Sequence, residues 1–169
     1  MEDGFKLEQV AIRLVPEAAV WDTDPIRSPE RAVEVLGKYI RDMDREAVCV
    51  VNFNTRLQPI NFQLVSIGTL DQALCKPREL LKAAILSNAS SMMILHNHPA
   101  GSITPSGSDV QMTERMEKVC KLVGIPLMDS IIIGFGREDY FSFRDASMLV
   151  EQNQQSDRAA EERSGRAGR

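Results

Sequence analysis

Apolar residues along this chain fall into two rhythms, short unbroken runs and runs spaced by threes and fours, and the boundaries between them predict the elements. Gln9 to Val15 is a short β-leaning run closed by Pro16, and an acidic, proline-containing loop anchored by Trp21 leads on to Ile26. Ser28-Pro29-Glu30 opens a helix, with a capping hydroxyl, proline at the first helical position and an acid at the positive end of the dipole. Val33, Leu36, Ile40 and Met43 recur at helical spacing, which predicts a helix to about Arg41 or Met43. Glu46 to Phe53 is an unbroken β-type run, and Asn54-Thr55-Arg56 turns it into a second strand through Ile67. Pro77-Arg78-Glu79 starts another helix, carrying Leu80, Leu81, Ala84 and Ile85 and ending near Asn88.

The pattern then shortens. Ser91 to Leu95 is an apolar strand that delivers His96 and His98, and Pro99 to Pro105 is a loop. From Ser106 a helix places Val110, Thr113, Met116, Cys120 and Val123 on one face, and Gly124 and Pro126 close it. Leu127 to Phe135 is a buried strand and Tyr140 to Phe143 the last one. No repeat is present, and strands and helices intermix without strict alternation. The expected fold is therefore α/β (α+β), a mixed sheet flanked by helices.

Composition sharpens the organisation. A chain of 169 residues with 43% hydrophobic content carries one domain with a real core. Residues 1–27 are expected to be an N-terminal strand and loop packing on a main body at 28–150. Residues 151–169, whose only apolar type is alanine, form a flexible C-terminal tail. A net charge of −4 does not support DNA contact, because phosphate binding needs a surplus of lysine and arginine. Cys49, Cys75 and Cys120 are odd in number and never paired as Cys-x-x-Cys, so they read as reduced thiols. The acidic start lacks the form of a signal peptide and no apolar run is long enough for a membrane span, which places the chain in the cytoplasm.

The chemistry concentrates in one place. The chain has two histidines, and both lie in His96-Asn97-His98-Pro99, followed by Ser106 and Asp109. Residues i and i+2 of a strand point to the same face, so the imidazoles converge, and Asp109 in the first turn of the next helix can fold back to complete a three-ligand zinc site with one open side. Each part has a plainer reading. His-x-His alone is a weak pattern, and Ser106-x-x-Asp109 is also a capping box. Metallo-β-lactamase and amidohydrolase clusters need further histidines; neither His-Glu-x-x-His nor the deaminase His-x-Glu with Pro-Cys-x-x-Cys occurs. Asn97 alternates away from the metal, free to fix a loop or contact substrate. Cys120 lies on the apolar face of its helix and reads as core.

His96-x-His98, seven residues, then Ser106-x-x-Asp109 resembles the JAMM (MPN-plus) metalloprotease motif. Within that superfamily, His-Asn-His-Pro, Pro77-Arg78-Glu79, Gly68-Thr69-Leu70 and Asp129-Ser130-Ile131-Ile132-Ile133-Gly134 are similar to the bacterial RadC-like JAB domains, over about residues 28 to 148. Two departures stand out: Ser130 replaces the histidine usual after the aspartate, and a preceding helix-hairpin-helix region has no room here. The resemblance implies a JAB/MPN-like sheet with a cytidine-deaminase-like layer architecture. It implies Zn2+ held by His96, His98 and Asp109, with Ser106 hydrogen-bonding a developing oxyanion. Glu46 occupies the place of the family's proton-transferring glutamate; Glu79 is the runner-up, with a simpler role as an acid near a helix dipole. Arg78 could hold an acidic partner or a substrate carbonyl.

The implied activity is hydrolysis of a peptide or isopeptide bond, on a peptide or protein substrate that the sequence does not name. The alternative implied by the same likeness is a zinc-containing binding or adaptor module associated with DNA repair or mobile elements. Oligomeric state is open, with the Asn61 to Ile67 strand as an edge that could pair with a second copy.

Overall fold

Ser28, in an extended conformation, accepts a hydrogen bond from the Arg31 amide through its hydroxyl and so starts helix α1 at Pro29–Leu36. The structure, a computed structural model, describes residues 11, 13–17, 25–68 and 76–149. The helix is shorter than its apolar spacing predicts. After Leu36 the chain tightens into a single 3₁₀ turn at Gly37–Tyr39. Ile40 is nevertheless buried, so the apolar pattern is satisfied although the α-helix has ended. Of the strand expected at residues 9–15, the described residues Ala11, Arg13, Leu14 and Val15 are exposed and form no strand. Trp21 and the expected tail at 151–169 lie outside the described residues.

The remaining elements follow the sequence closely. Strand β1, Ala47–Phe53, turns at Asn54, whose side chain accepts from the Arg56 and Gln58 amides, and returns as β2, Pro59–Ile67. Helix α2 is Pro77–Leu86 and strand β3 is Ser91–His98, so both histidines lie in the strand itself. Helix α3, Gly107–Val123, begins on a capping box made by Ser106 and Asp109 and ends at Gly124 in the left-handed region, φ 77°. Strands β4, Leu127–Gly134, and β5, Tyr140–Ser142, complete a mixed sheet in the order β2-β1-β3-β4-β5. The β3–β4 pair is parallel and the other neighbours are antiparallel.

Alternation along the central strands builds two cores. Cys49, Val51, Met93, Leu95, Ile131 and Ile133 pack with α1 on one face, while Val48, Val50, Met92 and Ile94 pack with α2 and α3 on the other. On α3 the buried stripe is Asp109, Thr113, Met116 and Cys120. Val123 is 43% exposed and does not belong to it, because the helix is ending and the chain turns at Gly124 back to Ile125, which is buried. Cys49 and Cys120 are buried free thiols. Among the described residues no helix is long and apolar enough to cross a membrane.

Candidate metal centre

His96 and His98 sit at the carboxyl end of β3, beside the parallel strand β4, the end of such a pair where ligands usually gather. Even-numbered residues of β3 face α3, so both imidazoles turn toward the first turn of that helix. Their Nε2 atoms are 3.2 Å apart. Asp109 meets them from α3, with Oδ1 3.3 Å from His96 Nε2 and Oδ2 3.4 Å from His98 Nε2. The three side chains offer ligand atoms that all lie within 4.8 Å of one another.

The surroundings fix which atoms are offered. His98 Nδ1 donates to the Ser102 carbonyl at 2.7 Å, which turns Nε2 into the cluster, where it donates to Asp109 when the ring is protonated and offers a lone pair when it is neutral. Asp109 Oδ2 accepts from the Ser106 amide at 2.7 Å and the Ser106 hydroxyl at 2.6 Å. Oδ1 is left toward His96. The loop between the ligands is seated by Gly134, where a Cβ would come within 2.9 Å of the Gly101 carbonyl, and by the Gly101 and Phe135 amides, both donating to the His98 carbonyl. Thr113, one turn beyond Asp109, donates to the Ser130 hydroxyl on β4 and ties the start of α3 to the sheet. Sequence reasoning missed this strut and the Ser102 carbonyl; a backbone acceptor leaves no mark in the side-chain pattern.

Electrostatically the cluster is a carboxylate facing two imidazoles. Burial pushes the Asp109 carboxyl up, but the hydrogen bonds from His96, His98 and Ser106 outweigh it and hold the group below the usual carboxylate range. The Asp109 contact raises His98 above its ordinary value, partly opposed by burial and assisted by the Ser102 carbonyl and the Glu46 charge. Zinc fits this set: neutral imidazole nitrogens and an ionised oxygen are its ordinary ligands, and here they converge with nitrogen lone pairs exposed to one another. His96 is fully buried, the His98 side chain is 12% exposed and Ser106 is exposed, so the cluster meets solvent on the side of His98 and Ser106.

Of the proton-transfer candidates, Glu46 lies next to the site. Val48 of β1 pairs with His96, and the antiparallel register carried one step past Ala47 sets Glu46 level with His98. It is half-buried and its carbonyl accepts from the Gly68 amide at 2.8 Å. Glu79 is engaged instead with Arg78 and Lys82 in the first turn of α2, which is the helix-dipole role. The Ser106 hydroxyl is hydrogen-bonded within the capping box, donating to Asp109 and accepting from its amide at 3.2 Å.

Comparison with known proteins agrees with this geometry. Residues 26–148 match the family described as the RadC-like JAB domain. A UPF0758 protein of Desulforamulus reducens is 41% identical over 109 residues, covering 64% of this chain and 48% of that protein. Another, of Chlorobaculum parvum, is 38% identical over 124 residues, covering 73% and 55%. A UPF0758 protein of Streptococcus sanguinis is 28% identical over 138 residues, covering 82% and 60%. The chain spans about half the length of the curated relatives it matches.

Proposed function

Because the chain belongs to the family of RadC-like JAB domains, we propose that it is a zinc-dependent hydrolase of the JAMM type that cleaves a peptide or isopeptide bond. The observation that supports this reading is the convergence of His96, His98 and Asp109 with one solvent-facing side, beside a carboxylate at Glu46. In a hydrolytic zinc site the metal polarises the carbonyl and acidifies a water molecule. With zinc held by His96, His98 and Asp109, Glu46 would accept a proton from water at the site and pass it to the leaving amine, the task of a carboxylate within hydrogen-bond reach. Ser106, at the exposed rim, turns its hydroxyl from Asp109 Oδ2 to the developing oxyanion. Asp109 keeps the Ser106 amide when it does so, so the carboxylate stays oriented. The substrate is a peptide or protein segment presented from the His98 side, in the cytoplasm, where buried free thiols such as Cys49 and Cys120 persist.

The test is zinc content and amide turnover measured together on wild type and Glu46→Gln. About one zinc per chain in both, as expected for a single three-ligand site, with turnover only in wild type, supports the hydrolase. Zinc in both with no amide turned over by wild type contradicts it and leaves an adaptor in which the metal braces the loop.

A further inference from the structure

Between the two histidines stands Asn97, and its side chain leaves β3 on the opposite face from theirs. It is fully buried. Its Oδ1 accepts from the Ala47 amide at 2.7 Å, and its Nδ2 donates to the carbonyls of Met43 and Arg45, both at 3.2 Å. The partners fix the amide's orientation, since a flipped group would set a donor against the Ala47 amide and an acceptor against two carbonyls. Residues 43–46 form no helix or strand. The Met43 amide pairs with the Ile40 carbonyl at 3.2 Å and the Glu46 carbonyl with the Gly68 amide, while the Met43 and Arg45 carbonyls take their donor from this side chain.

These partners bracket one residue. Arg45 precedes Glu46 and Ala47 follows it, while the Glu46 carbonyl is held from the other side by the Gly68 amide at 2.8 Å. We infer that Asn97 is a positioning residue, a clamp that fixes the backbone of Glu46 relative to His96 and His98 through the strand all three ligand-bearing and clamping residues share. The inference rests on the reading of Glu46 as the proton-transfer group. Its chemical logic is that Asn97 is peptide-bonded to both histidines, so the base and the metal ligands move as one body; a displacement of about 1 Å of such a group can cost about a hundredfold in rate. Only a short carboxamide fits: aspartate has the shape but no donor for the two carbonyls, and alanine leaves three backbone groups unpaired.

The test uses the full chain, with exchange of individual backbone amides as its first readout. In the unmodified protein, the Ala47 amide exchanges as slowly as that of Val50 in the middle of β1. In Asn97→Ala, Ala47 exchange rises by at least about tenfold, the equivalent of one lost hydrogen bond, while Val50 and Leu95 keep their protection and zinc stays at the wild-type level. Asn97→Leu, close to asparagine in size and without donor or acceptor, gives the same local pattern and serves if the alanine variant does not fold. Where an amide substrate is turned over, kcat falls by about a hundredfold with KM unchanged, and the double variant with Glu46→Gln is no slower than Glu46→Gln alone. Zinc lost as in His96→Ala, protection lost uniformly across the sheet, or additive losses in the double variant would each overturn the clamp. Failure of wild type to cleave any amide removes the hydrolase reading, whereas the exchange and zinc results judge the clamp by themselves.

Discussion

Asp109 and Asp129 are buried almost equally, at 5% and 1% exposure, yet they sit at opposite ends of the sheet and are satisfied by different kinds of partner. Asp129 faces donors that need an acceptor: the Ser130 amide at 2.7 Å, the Arg144 amide at 3.0 Å and the Ser142 hydroxyl at 2.6 Å. All are hydrogen-bond donors, and no imidazole is among them. Burial raises its pKa, and those hydrogen bonds only partly restore it. Asp109 meets two imidazole nitrogens at 3.3 and 3.4 Å as well as the Ser106 cap, and it is held ionised. The first arrangement braces a turn; the second gathers two imidazole nitrogens and a carboxylate, a set that protons or a metal ion can satisfy. Burial alone does not mark a functional carboxylate, and the chemical type of its neighbours does.

The comparison breaks most sharply in folding stability if the brace is removed. Asp129→Ala leaves two amides and a hydroxyl without their acceptor, and the expected cost is about 3 kcal/mol in urea unfolding, at about 1 kcal/mol or more for each unpaired group. Zinc binding is unchanged, because the turn after β5 is remote from the ligands.

A smaller effect separates the two carboxylates by pH in the zinc-stripped protein. His98 has its pKa raised by Asp109, so its stabilising contribution is complete below the unfolded value of about 6.5 and is lost as pH rises through the folded value. Asp109 is lowered, so its contribution is present above about 3.9 and is lost only as pH falls through its folded value. Asp129 is raised, so it disfavours the fold when ionised and this penalty is relieved as pH falls. The stripped protein should therefore gain stability from pH 8 to pH about 5.5, between those reference values. His98→Gln should flatten that slope in urea titrations. Zinc at the proposed site would act in the other direction, since protons compete with it for the imidazoles, and its added stability should shrink over the same interval.

Much of this was legible from the residues. The hairpin turn at Asn54, the capped start of α3 at Ser106 and its end at Gly124 carry strong local chemistry, and each formed at the expected place. Convergence of His96 and His98 followed from the two-residue period of a strand, and the capping box proved to be the device that orients Asp109 toward them. The end of α1 was not legible. Leu36 and Ile40 keep the same apolar spacing whether the chain between them is α or 3₁₀. Val123 misled for a related reason, because periodicity continues on paper past the point where a helix leaves its neighbours. Alternation placed Asn97 away from the metal, but its partners at Met43, Arg45 and Ala47 are backbone groups fifty residues distant, and nothing in side-chain pattern points to them.

The measurement closest to the central claim is zinc stoichiometry by elemental analysis of wild type, Asp109→Asn and Asp129→Asn, each folded and prepared with excess metal. About one zinc per chain in wild type and Asp129→Asn, and none in Asp109→Asn, is the predicted result for a three-ligand site. A folded wild type without zinc, or an Asp109→Asn variant that keeps it, would contradict the assignment of His96, His98 and Asp109 as a metal centre.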